Sequence, residues 1–428
     1  SPWAFPGAEK HYASLSEAKD RWGSGHAGKG TYETPDQWLT RLRADLIIAF
    51  FGYNASFRGP EGLESFKEAL RGFILHTRAQ SYNGKAAPGL ALVSPIAFED
   101  LSSTYNTPKG QIENANLALY TAAMEDVTGD LDVLFVNAFT ASQQWYDHST
   151  EPITLEGFQL NEKGYQLLAP LIADTIFAER KKGTIDGERL RSAIQEKNWI
   201  WHKLYKIPNG VHVYGRRYKP YGPDNYPDEL IKAAEMTRVR DQAIWAALEG
   251  KSFDLVAADA KTHQLPVVKT NYNPKNRKAG KIEYETPEQS LSKITVPEGY
   301  KIELFASENQ FPNLANPVQM SFDNQGRLWV ACMPSYPHWK VGDPKPKDTL
   351  LIFEDTDGDG KADKETVYAD DLHLPIGFEL APEGVYVSQS DSLVLLTDTN
   401  GDDRYDEKQY IFSGFDDHDT HHAISAFC

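Results

Sequence analysis

Three short apolar runs, separated by stretches of helical periodicity, constrain the first part of this chain more than any other feature. Apolar residues at nearly every position are typical of strands buried on both faces of a parallel sheet. The runs are DLIIAFF (45–51), LALVSP (90–95) and LDVLFVNAF (131–139). Apolar residues recur at helical spacing within 59–80, 114–127 and 161–182. This alternation of strand and helix predicts a doubly wound α/β domain over residues 35–183.

The segments that flank this pattern carry weaker signals. Residues 1–34 are predicted to form an N-terminal loop region, because no apolar run occurs there. Residues 184–257 are predicted to be a helical appendix, and residues 258–292 a polar linker. The appendix is rich in aromatic residues, which either line a sugar-binding surface or pack against the first domain. These residues are Trp199, Trp201, Tyr205, Tyr214, Tyr218 and Tyr221.

From about residue 293 the pattern changes to short strands and tight turns, and it contains an internal repeat. PVQMSFDNQGRLWVA (317–331) matches PIGFELAPEGVYVS (375–388), and a third copy begins at HAISAF (422–427). A period of about 45 to 60 residues is typical of β-propeller blades. Residues 293–428 therefore predict an incomplete propeller of about two blades. Because two blades leave open sheet edges, we expect the natural protein to continue beyond Cys428.

Two aspartate-rich loops follow the same pattern within this repeat. DTDGDGKAD spaces its carboxylates as in a calcium-binding loop, although the twelfth-position Glu of an EF-hand is absent. Alternate carboxylates can converge on one hard cation, so the pattern predicts a structural Ca²⁺ site. The alternative is a solvated Asp/Gly turn. The predicted ligands are Asp355, Asp357, Asp359 and Asp363 in the first loop, and Asp398, Asn400, Asp402 and Asp406 in the second.

Composition excludes some classes of partner and leaves others open. The formal net charge of −17 argues against a nucleic-acid partner, which requires a basic face. No apolar run reaches the length of a membrane span. Only Cys332 and Cys428 occur, and no CxxCH motif encodes attached haem in this chain. Composition decides neither the pairing of these cysteines nor the oligomeric state.

Two motifs of the α/β domain resemble those of the SGNH (GDSL-type) hydrolases. Gly52-Tyr53-Asn54 resembles the block whose Gly and Asn help to build the oxyanion hole. The stretch EGFQLNEKGY (156–165) resembles the block with the catalytic Asp-x-x-His, so that Glu156 matches the aspartate and Gln159 the histidine. The resemblance implies a flavodoxin-like, three-layer α/β fold. It also implies that Gly52, Asn54, Glu156 and Gln159 form a substrate-binding site.

This sequence departs from the family at the catalytic positions. A glutamine has no titratable nitrogen, so Gln159 cannot accept a proton from a serine hydroxyl. No strand and serine-bearing turn precede residue 35, and Ser24 beside His26 is a weak candidate for the nucleophile. We therefore expect a catalytically degenerate module that still binds an acyl or sugar ligand. Whether the chain is an enzyme stays open.

The propeller segment resembles the start of sorbosone/glucose-dehydrogenase-like propellers, which are known in quinone (PQQ) enzymes. His422 is similar to the residue that carries their general base, and PQQ would need blades beyond this chain. The order of modules resembles composite haem-binding dehydrogenase-like proteins of planctomycete and verrucomicrobial type. It implies an exported, periplasmic or extracellular protein directed at carbohydrate. The alternatives are an active SGNH esterase or carbohydrate deacetylase, and a non-catalytic carbohydrate-binding or scaffold protein.

Overall fold

The structure is a computed structural model, and it describes residues 35–177, 185–205, 219, 222–266, 285–336, 339–415, 423–425 and 427. The chain forms two compact units, one containing residues 35–177 and the other containing the described residues from 185 onward. The predicted N-terminal loop, with Ser24 and His26, lies outside the described residues, as do His422 and Cys428.

The first unit is built on a three-stranded parallel sheet. Its strands are β1 (Leu46–Phe50), β2 (Gly89–Val93) and β3 (Leu134–Val136), in the order β1-β2-β3. Each strand coincides with one of the three apolar runs, with β2 beginning one residue earlier, so the predicted parallel sheet is confirmed. The third strand is shorter than predicted, because a helix begins at Ala138. The Asn137 side chain caps that helix by accepting a hydrogen bond from the Thr140 backbone N–H.

Helices cover both faces of this sheet, as a doubly wound layer requires. They are α1 (Pro35–Leu42), α2 (Tyr53–Ser56), α3 (Leu63–Arg78), α4 (Gln111–Asp130), α5 (Ala138–His148) and α6 (Glu162–Ile176). One face packs against α3 and α4, with Ile74 and Met124 fully buried. The opposite face packs against α5 and α6 around Val93 and Val136. The first core also includes Ile47 and Ala49 of β1, whereas the second is built on β2 and β3.

The strand at the sheet's edge, β1, is covered on one face only. Leu46, Ile48 and Phe50 alternate along that strand and are 38%, 41% and 56% exposed. The three strands also follow one another in chain order. The reversal of strand order that defines a flavodoxin-like sheet is therefore not found among residues 35–177. The described residues show the coarser part of the expected fold, a mixed α/β unit with a three-stranded parallel sheet.

The second unit begins with two long helices, α7 (Gly187–Tyr205) and α8 (Gly222–Leu248), followed by two short ones, α9 (Leu255–Asp259) and α10 (Pro287–Leu291). Arg240 on α8 is 3% exposed and binds the carboxylates of Glu196 and Asp259. Trp199 packs edge-on against Trp339 of the same unit, with ring centroids 5.4 Å apart. That aromatic residue of the predicted appendix is therefore packed inside its own unit. Tyr214, Tyr218 and Tyr221 lie outside the described residues.

The predicted linker is not a simple spacer where the structure describes it. Lys232 Nζ donates hydrogen bonds to Thr262 Oγ1 (3.1 Å) and to the His263 carbonyl (3.0 Å). His263 Nε2 lies 2.6 Å from Asp228 Oδ1. These contacts hold the start of the segment on α8, which a polar composition alone does not reveal. The segment also ends in helix α10 rather than in an extended chain.

Two four-stranded antiparallel sheets complete the second unit. The first contains β4 (Pro317–Phe322), β5 (Leu328–Cys332), β6 (Asp348–Glu354) and β7 (Lys364–Leu372). The second contains β8 (Phe378–Ala381), β9 (Gly384–Gln389), β10 (Ser392–Thr397) and β11 (Glu407–Ser413). In each sheet the strands lie side by side in chain order. Both copies of the repeat form the predicted strand–turn–strand hairpin, β4–β5 and β8–β9.

The two sheets share one hydrophobic core. Trp329 and Ile352 of the first sheet and Phe378 and Val387 of the second belong to the same buried cluster. Gln319 links them further, because its side chain donates to the Phe378 carbonyl (3.0 Å) and accepts from the Phe378 N–H (2.7 Å). Among the described residues these sheets do not close into a ring, and residues 423–425 and 427 are not in a strand. The expected start of a third strand is therefore not seen in that part.

None of the described helices combines the length and the apolar character that crossing a bilayer requires.

Candidate functional site

The first element of the site is the turn at the carboxyl end of β1. Gly52 follows the strand with φ 103°, a conformation that L side chains rarely adopt. A Cβ atom there would lie 3.0 Å from two ring carbons of Pro95 and 3.3 Å from the Met124 sulfur. Only glycine therefore lets the chain turn tightly into α2. That turn leaves the Asn54 side chain exposed above the end of the sheet.

The second element is the loop 153–160, which a buried carboxylate holds in place. Glu99, 8% exposed, accepts hydrogen bonds from the Thr154 backbone N–H (2.9 Å) and hydroxyl (2.5 Å), and from the Ile153 N–H (3.2 Å). Its own N–H donates to the Gly157 carbonyl at 2.8 Å. Sequence reasoning missed Glu99. The available signal is an acidic residue directly after the apolar run at 90–98, where parallel strands end.

Glu156 closes the tip of this loop through the backbone. Its Oε1 accepts a hydrogen bond from the Gln159 N–H at 2.9 Å, while Oε2 is buried without a hydrogen-bond partner among the described residues. Burial raises the pKa of the Glu156 carboxyl, partly offset by the backbone donors of Gln159 and Phe158. The Gln159 side chain itself is exposed. Glu156 thus shapes the turn through its bond to the Gln159 backbone, and among the described residues no imidazole accompanies it.

Aromatic rings bring the two elements together. Tyr53 stacks on Phe158 with ring centroids 4.9 Å apart and an interplanar angle of 17°. Phe57 meets the Tyr53 ring edge-on at 5.4 Å and 83°. Burial, followed by the charges of Glu156 and Glu113, raises the pKa of Tyr53 to about 12. Gly52, Asn54, Glu156 and Gln159 therefore lie on two turns joined by a Tyr53–Phe158 contact. Sequence reasoning missed Phe57 and Phe158, although each stands beside a recognised motif.

A cavity of about 510 Å³ opens at the same end of the sheet. Its walls include Phe98, Asn114, Gln143, Gln144, Tyr146 and Asp147. Asn114 is fixed, because its side chain accepts from the Phe98 N–H (2.7 Å) and donates to the Phe98 carbonyl (2.9 Å). Tyr146 donates to the Ala97 carbonyl at 2.6 Å. The glutamines and Asp147 on α5 remain exposed and can contact a polar ligand.

Among the described residues of this unit, no histidine–serine pair is seen at the end of the sheet. Ser56, the serine nearest in sequence to Gly52, is 5% exposed and donates its hydroxyl hydrogen to the Tyr53 carbonyl. His76 is bound to Asp36, and His148 to the Gln144 carbonyl. Position 159 offers a carboxamide, which does not titrate. The exposed carboxamides of Asn54 and Gln159 and the rings of Phe57 and Phe158 can hydrogen-bond and stack a ligand.

The first acidic loop connects β6 to β7 and gathers three carboxylates. Oxygens of Asp355, Asp357 and Asp363 all lie within 4.8 Å of one another. Backbone donors, of which Gly360 N–H has the largest effect, lower the pKa of Asp355. The fourth predicted ligand, Asp359, instead uses Oδ1 to accept from the Lys361 N–H at 2.9 Å. Three of the four predicted residues therefore converge.

The second acidic loop connects β10 to β11, the equivalent position in the second sheet. Asn400 Nδ2 donates to Asp406 Oδ1 at 2.9 Å, and Asp402 Oδ1 accepts from the Arg404 N–H at 3.0 Å. These carboxylates, with that of Asp398, are not among the described groups that gather three ligand atoms within 4.8 Å. Asp403 has φ 63° where the first loop has Gly360 at 85°. The second loop is thus held by internal hydrogen bonds.

Comparisons with known proteins add little to this geometry. A family described as a domain of unknown function, DUF7133, matches residues 286–428. The chain matches no curated protein. A catalytic mutant of Axe2, an acetylxylan esterase from Geobacillus stearothermophilus, is 17% identical, with 33% of this chain and 64% of that chain covered and a TM-score of 0.26. The chain thus spans less than two thirds of that esterase.

Two further solved structures are similar to the same degree. Axe2 itself is 16% identical, with 39% of this chain and 70% of that chain covered and a TM-score of 0.26. LAE5, an alpha/beta hydrolase enzyme from the metagenome of Lake Arreo, Spain, is 16% identical, with 33% and 63% covered and a TM-score of 0.26. TM-scores this low do not establish a common fold.

Proposed function

We propose that the first unit recognises carbohydrate or acylated carbohydrate and does not cleave it. The observation that carries this proposal is the carboxamide of Gln159 at the tip of the loop that faces Asn54. Without a titratable base the nucleophile cannot be activated, and loss of one member of a catalytic triad costs about 10⁴- to 10⁶-fold in rate. The exposed amides of Asn54 and Gln159, which can pair with hydroxyl or acyl oxygens, support recognition.

Ester hydrolysis is the decisive test of this proposal. We expect the purified chain to hydrolyse p-nitrophenyl acetate no faster than buffer does, and Gln159→Ala to behave identically. A serine-dependent turnover that disappears in Ser24→Ala would show an active esterase, which is the alternative function, and would overturn the proposal. The Ser103→Ala variant, which changes an exposed serine outside both turns, is the matched control.

For the second unit we propose part of a dehydrogenase-like propeller in an exported, periplasmic or extracellular, carbohydrate-directed protein. Two consecutive four-stranded antiparallel sheets that share a core support it, because propellers are built from such sheets. Any quinone chemistry, including a base at His422, belongs to a chain with further blades. Dye-linked oxidation of sugars by the full-length gene product, with and without added PQQ, tests this part. Silence in that assay together with binding of glycans would favour the scaffold alternative.

We further propose that the first acidic loop binds Ca²⁺. Asp355, Asp357 and Asp363 supply the hard oxygen ligands that this cation prefers. An ion there would neutralise carboxylates that otherwise repel one another, and it would brace the β6–β7 connection. Asp359 accepts from the Lys361 N–H through Oδ1 alone, so its Oδ2 could join them.

A further inference from the structure

Two exposed aromatic side chains, Phe57 and Phe158, flank the partly buried ring of Tyr53 at the carboxyl end of the parallel sheet. Tyr53 contacts both Phe57 and Phe158, at 5.4 Å and 4.9 Å between ring centroids. Phe57 is 68% exposed and Phe158 is 39% exposed. Large aromatic rings that remain in water next to one another mark binding surfaces more often than isolated exposed residues do. We call these three residues the aromatic platform.

The platform is held rigidly from below. The Tyr53 ring packs against a buried cluster that contains Phe98, Leu117 and Phe139. Phe158 is carried by the loop that Glu99 fixes through the backbone of Ile153 and Thr154. Because the rings are fixed before a ligand arrives, binding does not have to order them. A rigid aromatic surface of this kind suits a ligand with a flat apolar face.

The rim of the platform is polar, and the carboxylates of Glu156 and Glu113 act on Tyr53. Asn54 and Gln159 place exposed carboxamides beside it, and each carboxamide can both donate and accept hydrogen bonds. The carboxylates of Glu156 and Glu113 lie close enough to the Tyr53 hydroxyl to raise its pKa. A ligand with carboxylate, sulfate or phosphate groups would be repelled here, whereas a neutral ligand with hydroxyl groups would not.

We propose that Tyr53, Phe57 and Phe158 bind the ring of a neutral sugar by stacking, while Asn54 and Gln159 hydrogen-bond its hydroxyl groups. The C–H face of a pyranose is flat and apolar, and its edge carries hydroxyl groups that act as both donors and acceptors. This inference rests on the proposed recognition function and narrows it to uncharged sugars. It assigns the stacking role to Phe57 and Phe158, which are not among the site residues that the sequence predicts.

Calorimetric titration of the whole chain with a panel of neutral tetrasaccharides (xylo-, gluco-, manno- and galacto-) and with tetragalacturonate tests the proposal. We expect at least one neutral tetrasaccharide to bind, and tetragalacturonate to bind at least about tenfold more weakly. Phe57→Ala and Phe158→Ala should each weaken the neutral ligand about tenfold, the amount expected for one stacked ring. Phe177→Ala, an exposed ring at the end of α6, should leave binding unchanged.

A charge variant gives an independent readout. Glu113→Gln should strengthen tetragalacturonate binding while leaving the neutral tetrasaccharide unaffected, because only the repulsion is removed. Equal binding by wild type, Phe57→Ala and Phe158→Ala would overturn the platform and leave the recognition function standing. Absence of binding to every neutral tetrasaccharide would overturn both the aromatic platform and the proposed recognition function. Esterase turnover by the wild type, combined with weaker substrate binding in Phe57→Ala, would refute the proposal that the unit is non-catalytic. It would still support a binding role for the aromatic platform.

Discussion

At the scale of single residues, Gly52 and Gln159 are the two positions of the site that most restrict what it can do. Gly52 is needed because its φ is positive and Pro95 and Met124 leave no room for a Cβ atom. The glutamine at position 159 limits the chemistry directly, because an amide cannot shuttle protons. Glu99, Phe57 and Phe158 were not predicted, since their roles depend on contacts between loops that are distant in sequence.

The requirement at Gly52 leads to a stability prediction. Gly52→Ala should lower the free energy of unfolding by about 2–4 kcal/mol, because backbone strain and an overlap with Pro95 add together. Gly84→Ala also has a positive φ, 74°, but meets nothing within 4 Å, so it should cost only about 1–2 kcal/mol. Urea unfolding of both variants measures the difference. Equal losses would mean that the contact with Pro95 carries no cost.

At the scale of elements, periodicity identified strands and helices but did not identify which of them pack against one another. The three apolar runs correctly placed β1, β2 and β3, and the repeat correctly placed two hairpins. The strand order and the open face beside β1 could not be read from periodicity, because both depend on which segments pack together. The helix that shortens β3 is capped by Asn137, which lies inside the apolar run 131–139 and so was not recognised as a helix start.

The two acidic loops provide a prediction at this scale. Millimolar Ca²⁺ should raise the melting temperature of the second unit by about 5–10 °C if the ion is present at about 100 times its dissociation constant. Asp357→Asn in the first loop should abolish most of this shift. Asp402→Asn in the second loop should preserve it, because the described carboxylates of that loop do not gather three ligand atoms within 4.8 Å.

Scanning calorimetry with Ca²⁺, Mg²⁺ or a chelator measures these shifts. A Ca²⁺ shift that survives Asp357→Asn would refute a site in the first loop. A shift produced equally by Mg²⁺ would point to general screening of carboxylates, since Mg²⁺ requires a stricter octahedral geometry.

At the scale of the whole molecule, two compact units imply two unfolding transitions, whose dependence on solution conditions can differ. Glu229 on α8 gives the second unit a pH dependence of its own. Burial, assisted by Asp343 and opposed by Lys340, raises the pKa of Glu229 to about 7. The folded unit therefore holds this proton at pH values where the unfolded chain has released it.

The sign of the effect follows from linkage. Between the ordinary pKa of Glu229, 4.5, and its folded value of about 7, the folded state binds more protons, so stability falls as pH rises. Glu229→Gln, which mimics the neutral form, should flatten this slope in the second unit's transition and leave the first unit's transition unchanged. Calorimetry between pH 4.5 and 7.5 measures both transitions. If the stability of the second unit depends on pH equally in Glu229→Gln and in the wild type, groups other than Glu229 control that dependence.

The clamp formed by Glu99 has a consequence for how this site can diverge. Glu99 makes hydrogen bonds to the backbone of Ile153, Thr154 and Gly157. The side chain at position 159 takes no part in these bonds. Substitutions at position 159 can therefore occur without weakening the hydrogen bonds that hold the loop in place. A lineage could discard a proton-carrying residue there, or regain one, and inherit the same fold either way.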